Sequence, residues 1–285
     1  GEAIGKAETF LNNLETQEVS SFQTSLEDTA KEFSDYPTLI YDGPFSDHIG
    51  QMKPKFLDGE QEIPQGNAQT VAAEFWGIDH ANAEHTNDTA GGLPTYNFSY
   101  GNARVSVTKA GGYVASMIDS REISQPSLGY EEALAKAKEF LEGRGVTGMK
   151  ESYYVIHDGK CVINFAYSEG DLIFYPDLIK VAVALDNGQV VEYDSTGYLM
   201  NHHNRPPQEP VLTMEEAQTS VSPYLQVERG LPCVIPTSGL NEVLCYEFLC
   251  HSEDGEEVLV YIDAATGMEE QILILLKSDE GVLTR

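Results

Sequence analysis

The sequence predicts an α+β protein of three tandem modules, each with one helix packed on an antiparallel sheet. A helical N-terminal segment precedes the three modules. Three observations lead to this class. A V-x-V hairpin pattern occurs three times, helix-like segments precede the hairpins, and strand-like runs follow one another without intervening helices. Strands that follow strands favour antiparallel pairing over a parallel α/β sheet.

The hairpin pattern lies at residues 104–114, 180–190 and 258–267. Each copy alternates as a half-buried strand does and then reaches a turn glycine. Asn187-Gly188 in the second copy is a dipeptide preferred by two-residue type I′ turns. The third copy reaches its glycine two residues later, which predicts a longer loop. The three glycines are separated by 76 and 79 residues, a spacing that suits small domains better than solenoid units.

The clearest helix is predicted at 130–141, where five apolar residues fall on one face. We expect Ser127 to cap this helix and Gly143 to end it. Glu131 and Glu132 lie in its first turn, where the helix dipole favours negative charge.

The other two helices have shorter signals. The third should open at Thr213 with the capping box T-M-E-E and end before Pro223, and the first, at about 67–76, has a weaker pattern. Proline near Pro126 and in 205–210 predicts linkers between modules. The resulting divisions are a helical and turn-rich lead-in at 1–60 and modules at 61–125, 126–205 and 206–285.

The lead-in does not match the repeat, and its apolar residues up to Pro37 suggest an amphipathic helix. The chain begins at Gly1 without a methionine or a signal-peptide core, so we expect the natural protein to extend upstream. The longest apolar run, 272–276, is too short to span a membrane and predicts a buried strand.

The charge composition of the chain excludes some classes of binding partner. Acidic residues number 46 and basic residues 17, which gives a net charge of −29. Such a charge repels nucleic acid and anionic lipid, so neither is an expected partner. The acidic surface could attract a basic partner or cations, or serve solubility alone, and the composition does not decide between these.

The four cysteines, at positions 161, 233, 245 and 250, have no C-x-x-C spacing and are expected to be buried free thiols. Cys245 and Cys250 should face opposite sides of a strand and therefore not bridge each other.

One segment matches a nucleotide-binding motif in its letters but not in the order of the surrounding helix and strand. Residues 143–148 match G-x-G-x-x-G, but they follow a helix, whereas a dinucleotide loop follows a strand and opens a helix. Met149 occupies the position that a P-loop lysine would need. We interpret the segment as a helix end and loop.

Histidines and acidic clusters give no metal or catalytic motif. His80 and His85 are five residues apart and lack the zinc-protease spacing, and His202-His203 is interpreted as a solvated loop pair beside prolines. His251 beside Cys250 is similarly weak, and His157 near Cys161 forms no recognisable triad. Asp177 and the acidic segment 253–257 lack EF-hand spacing. A weakly bound calcium ion at these residues is the alternative that the sequence leaves open.

Several aromatic residues are predicted to be core or hairpin packing, with any exposed member a candidate anchor for a partner. They are Tyr153, Tyr154, Phe174, Tyr175 and Tyr261. The sequence thus assigns no catalytic, cofactor-binding or metal-binding residue.

The repeated helix, antiparallel sheet and closing hairpin resemble the PepSY module, which is named for peptidase propeptides and YpeB. Two segments are similar to the YpeB germination family more specifically: residues 39–49, LIYDGPFSDHI, and residues 176–205, with DSTGY at 194–198 and NHHNR at 201–205. The resemblance covers about residue 38 to the end of the chain.

This resemblance implies a non-catalytic, cofactor-free protein of endospore-forming bacteria whose partner is a spore cortex-lytic enzyme, kept stable and restrained until germination. It also implies an upstream membrane anchor and a location on the outer side of the inner spore membrane or in the cortex region. The wider PepSY group suggests an alternative, a propeptide-like inhibitor of a secreted metalloprotease. An enzyme with an unrecognised site is a third hypothesis.

Overall fold

One sheet of thirteen strands dominates residues 53–206, 209–237, 241–278 and 281–284, which the computed structural model describes. A few helices pack on this sheet. The mixed α+β class predicted from the sequence is therefore confirmed. The helix predicted before Pro37 lies outside the described residues.

The elements follow the order of a helix and then several strands three times. The first group is α1 (Gln65–Trp76), β1 (Glu84–Thr89), β2 (Thr95–Tyr100), β3 (Ala103–Thr108) and β4 (Val114–Asp119). The second is α2 (Tyr130–Glu142), β5 (Met149–His157), β6 (Lys160–Glu169), β7 (Leu172–Ala184), β8 (Val190–Asp194) and α3 (Thr196–Asn201). The third is α4 (Met214–Gln218), β9 (Gln226–Pro236), β10 (Glu242–His251), β11 (Glu257–Asp263), β12 (Glu269–Ser278) and β13 (Gly281–Thr284).

Helix termini follow local capping chemistry. α2 begins after Gly129, whose N–H donates to the Glu132 carboxylate at 2.9 Å. The predicted cap, Ser127, lies two residues before this N-cap, and its own N–H donates to the Leu185 carbonyl at 2.8 Å. At α4 the predicted capping box forms between Thr213 and Glu216, although the helix has only five residues.

The repeated hairpins turn at left-handed glycines, as the pattern predicts. Gly112, Gly188 and Gly267 have φ of 74°, 78° and 72°. The type I′ turn predicted at Asn187-Gly188 is wrong, because Asn187 keeps a negative φ and its side chain accepts the N–H of Gln189 at 2.9 Å. Asp158, with φ 48°, takes the left-handed conformation that Asn187 does not.

The strand pairing runs across the predicted module boundaries. β4 pairs with β8, while β7 pairs with β9 in parallel and β5 pairs with β13, so that eight strands close into a ring. The described strands therefore belong to one sheet, and the division into three modules stays a prediction.

Gly281 allows the ring to close. It lies opposite Val155 of β5 with φ 139°, and a methyl group on its Cα would lie 2.5 Å from the Tyr154 carbonyl oxygen. Because backbone and not a flexible side chain occupies that space, only glycine fits without a shift of β13 or β5.

The sheet buries apolar residues on both faces. α1 and α2 cover one face through small side chains such as Ala72 and Ala137, while Ala217 of α4 packs on the outer surface of the ring. The ring interior is filled by residues such as Leu273 and Tyr261. Leu273 is buried as predicted for 272–276, but Ile272 points outward and is 45% exposed.

All four cysteines are buried free thiols, as predicted. Cys245 faces the ring interior and Cys250 the outer surface, which confirms their opposite orientation. Cys233 lies directly across from Cys245 on the neighbouring strand. No helix among the described residues is both long and apolar enough to cross a membrane.

Replacing Gly281 with alanine should destabilise the fold by about 1–3 kcal/mol, because the added methyl group meets backbone and the residue has positive φ. The control is Gly255→Ala, a positive-φ turn glycine with nothing within 4 Å of the added methyl group. Urea denaturation followed by circular dichroism measures both variants. Equal losses in the two would contradict the proposed role of close approach in ring closure.

Candidate functional site

A groove of about 520 Å³ lies between the first and second helix-and-strand groups. α1 and α2 contribute one wall and the β2–β3 turn and the end of β4 contribute the other. Aromatic and guanidinium side chains line it, and these residue types dominate the binding energy of protein interfaces. We refer to this cavity as the inter-helix groove.

Arg144 is held over two aromatic rings at one wall. Its guanidinium carbon lies 3.6 Å from the Phe140 ring centroid and 4.7 Å from that of Phe75. Three N–H groups donate to the main-chain carbonyls of Phe75 and Phe140 at 2.7–3.3 Å. Since arginine has five N–H donors, two remain for a ligand. Burial lowers the pKa of Arg144, although the group stays cationic.

Trp76 and Tyr100 form the aromatic part of the groove. Their rings meet edge to face at 6.3 Å, and Tyr100 is 46% exposed. Tyr100 ends β2 immediately before Gly101, whose φ of 59° turns the chain into β3 and leaves the tyrosine at the sheet margin. A large, exposed and oriented ring of this kind can bury apolar area on a partner.

Arg121 fixes the far end of the groove. Its two terminal nitrogens donate to the Asp186 carboxylate at 2.9 and 2.7 Å, and its Nε donates to Gln189. The hydrogen bond from Arg121 holds the pKa of Asp186 well below its usual range. This pair links the segment after β4 to the β7–β8 turn at one end of the groove.

A second feature is a buried ion cluster between the second and third groups, which we call the Arg205 cluster. Arg205 donates twice to Asp177 of β7, both at 2.7 Å, and twice to Glu242 of β10, at 2.7 and 2.8 Å. Lys55 approaches Glu242 at 3.7 Å, and His202 contacts Asp177 at 2.7 Å. Burial acts to lower the pKa of Arg205, but its two carboxylate partners raise it overall.

The Asp177–His202 contact resembles two members of a catalytic triad, but its surroundings are those of a structural pair. Both oxygens of Asp177 are bonded to Arg205, and the imidazole is stacked on Tyr198 at 4.3 Å. Burial raises the pKa of Tyr198 to about 12, the wrong direction for a nucleophile or a base near neutral pH.

Cysteine chemistry points the same way. Burial raises the pKa of Cys161 and of Cys245 to about 12 and raises that of Cys233. A catalytic cysteine needs a lowered pKa and access to substrate, and these thiols have the opposite environment.

The histidine interpretation needs one correction. His202-His203 is not a solvated loop pair, because both rings are half-buried and bonded, His202 to Asp177 and His203 to the Asn201 carbonyl at 2.7 Å. His85 contacts Asp88 at 2.8 Å. Within the described ranges no three His, Cys, Asp or Glu side chains cluster as a metal site would require.

The remaining sequence motifs lie in loops and turns, and the aromatic residues singled out from the sequence make packing contacts. Residues 143–148 form the loop between α2 and β5, and 253–256 form the β10–β11 turn, with Glu257 as the first residue of β11. Tyr154 stacks on Tyr130 at 3.8 Å, and Phe174 lies 4.8 Å from the Arg205 guanidinium. Tyr153, Tyr175 and Tyr261 face the interior of the ring.

The sequence alone does not identify the residues that form the inter-helix groove and the Arg205 cluster. The sequence pattern predicts a linker at Arg205 and a loop at Arg144. Trp76 is the last residue of the weakly patterned first helix and lies 24 residues before Tyr100. Residue type is the signal that points to these side chains, because a lone tryptophan and scarce arginines in an acidic chain are candidates for anchoring roles.

Comparison with known proteins gives a consistent result. Residues 22–208 match the family model described as YpeB sporulation, PepSY1 and PepSY2 domains. A sporulation protein YpeB from Halalkalibacterium halodurans is 32% identical over 219 residues, covering 75% of this chain and 49% of the relative. The Bacillus subtilis sporulation protein YpeB is 28% identical over 170 residues, covering 59% and 38%. The chain thus spans half or less of the length of these relatives.

The fold also matches a solved structure, the Bacillus megaterium YpeB C-terminal domain. The TM-score is 0.67 at 23% identity, and the match covers 76% of this chain and 100% of that one. At this identity the likeness concerns the fold.

Arg205→Met should destabilise the protein by about 3–5 kcal/mol, because it removes the guanidinium that pairs with the fully buried Asp177 and with Glu242, leaving them only His202 and the more distant Lys55. Lys136→Met is the matched control, since its ion pair with Glu139 is solvent-exposed and should contribute no more than about 0.5 kcal/mol. Chemical denaturation provides the measurement. An Arg205→Met midpoint within error of that of Lys136→Met would show that the cluster does not hold the fold.

Proposed function

The chain belongs to the YpeB family of sporulation proteins, and we propose that it is a non-catalytic germination protein that binds a spore cortex-lytic enzyme. In this proposal the bound enzyme is kept stable and restrained until germination. The observation that carries the proposal is the family match over residues 22–208, which includes every wall of the inter-helix groove.

The groove supports a binding role through its chemistry. Tryptophan, tyrosine and arginine are the residues most enriched at interface hot spots, and all three types meet here. Arg144 offers two N–H donors in the groove that the exposed ring of Tyr100 also lines. A partner segment with an apolar side chain and a carboxylate or carbonyl oxygen fits this arrangement.

The net charge supports a basic partner at longer range. A charge of −29 attracts a positively charged protein and raises the rate of encounter, mainly at low ionic strength. We therefore expect the enzyme to present a basic surface around the segment that enters the groove.

We also propose the finer organisation that the sequence suggests. The helix-and-strand order supports three PepSY-like modules at 61–125, 126–205 and 206–285, with module 3 built on the five-residue α4. The protein would act on the outer side of the inner spore membrane or in the cortex region, with an upstream anchor.

The family resemblance leaves one alternative, a propeptide-like inhibitor of a secreted metalloprotease. Inhibition of such a protease, without binding to a wall hydrolase, would support this alternative against the first proposal.

The direct test mixes the purified chain with the cognate cortex-lytic enzyme and measures association by calorimetry and cortex hydrolysis by release of wall fragments. We expect saturable binding and a reduced rate of hydrolysis. The absence of both at neutral pH and moderate salt would overturn the proposal.

A pair of tyrosine variants tests the groove. Tyr100→Ala should weaken enzyme binding at least tenfold, about 1.4 kcal/mol, because it removes a central anchor. Tyr224→Ala is the matched control, since this tyrosine is 77% exposed and lies outside the groove. Equal affinities for Tyr100→Ala and the unmodified chain would place the enzyme elsewhere.

A further inference from the structure

The closed ring of eight strands contains a cavity of about 270 Å³ at one end of its interior. Leucine side chains form the apolar part of its lining, and charged side chains form the rest. The leucines are Leu231, Leu249, Leu259 and Leu275, and the charged residues are Glu151, Arg229, Glu247 and Glu257. This cavity is separate from the inter-helix groove and shares no lining residue with it.

The most deeply buried carboxylate of this lining belongs to Glu247. Glu247 of β10 is 4% exposed, and one of its oxygens, Oε2, accepts both the Tyr175 hydroxyl at 2.6 Å and the Tyr261 hydroxyl at 2.8 Å. Both donors bind the same oxygen, so Oε1 is not engaged by either tyrosine. The two tyrosines come from β7 and β11 and hold the carboxylate in a fixed orientation.

No lysine or arginine in the described part of the chain forms an ion pair with Glu247. Arg229 lines the same cavity and acts on Glu247 only as a longer-range charge. Burial raises the pKa of Glu247, and the tyrosine hydroxyls offset this only in part. Burying a carboxylate without a cation costs stability, and a fold that needed only packing here could use leucine, as it does at neighbouring positions.

We propose that this cavity is a binding site for an alkylammonium group, with Glu247 receiving the ammonium and the leucine walls enclosing an unbranched aliphatic stem. The carboxylate selects a cation and excludes anionic ligands. The volume is smaller than that of ordinary drug-sized pockets, so it suits a single lysine-like chain.

The same chemistry can come from a lysine side chain of a protein or from a free diamine. The inference does not depend on the enzyme-binding role proposed above, because binding is measured on the isolated chain with small probes.

The test is calorimetric titration of the full chain with pentylamine, with 1,5-diaminopentane and with the peptide acetyl-Gly-Lys-Gly-amide. The neutral control ligand is pentan-1-ol. We expect saturable binding of an amine probe at least tenfold tighter than that of the alcohol. Preference for the peptide would assign the site to a protein lysine, and preference for the diamine would assign it to a free amine.

Glu247→Gln supplies the decisive variant, because an amide oxygen can still accept the tyrosine hydroxyls while the negative charge is lost. Amine affinity should fall at least tenfold. Glu253→Gln, the same change in an exposed turn, should leave it unchanged.

Proton linkage gives a second readout. Glu247 has a raised pKa, so the folded state binds its proton more strongly than the unfolded chain does; this contribution to stability is complete below about pH 4.5 and is lost as pH rises through the folded pKa. Between about pH 4.5 and the folded pKa, amine binding should release a proton from Glu247, which makes the measured binding heat depend on the buffer. The Glu247→Gln variant should lose this dependence. The other ionisable groups around the site are Glu151, Tyr153, Tyr175, Arg229, Cys233, Glu257 and Tyr261.

Three results would overturn the proposal: no saturable heat with any amine, pentan-1-ol binding as tightly as pentylamine, or unchanged amine affinity in folded Glu247→Gln. Circular dichroism of the variant establishes that it is folded.

Discussion

Arg205 is the side chain on which the arrangement of the second and third strand groups depends. It bonds one carboxylate on β7 and another on β10, in a site where Asp177 is completely buried. Because a buried charge must be paired, these three residues can be close only if β7 and β10 take one relative position. β9 lies between them, paired in parallel with β7 through Ile173 and Phe174. The ion cluster therefore fixes the one parallel pairing in a sheet that is otherwise antiparallel across the described strands.

The ring and its interior follow from that pairing. Once β9 is set against β7, the antiparallel succession β9 to β13 carries the chain around to β5, where Gly281 permits close approach. Tyr261 lies directly opposite Glu247 on β11, and the β7–β9 pairing brings Tyr175 of β7 within hydrogen-bond distance of the same carboxylate. A polar group inside the ring and an ion cluster outside it thus depend on the same strand arrangement.

The sequence predicts the features that local chemistry determines. The α2 face, the capping box at Thr213 and the turn glycines were all predictable, since alternation, capping and positive φ act within a few residues. Arg205 was missed because its partner Asp177 lies 28 residues upstream, and nearby prolines dominate the local signal. Ring closure was not predictable either, since nothing local distinguishes a strand that ends a sheet from one that pairs with β5.

The candidate groove was hidden for the same reason, but its composition has a consequence for the kind of partner. A net charge of −29 acts over roughly the Debye length, about 8 Å at physiological salt, and draws basic surfaces toward the protein. Arg144 and its unused N–H groups act only at contact, and they favour an oxygen acceptor. These two preferences differ in sign and in range, so a uniformly basic partner meets only the first. A protein partner of the kind proposed above meets both preferences if its basic surface surrounds an apolar segment that carries carboxylate or carbonyl oxygens.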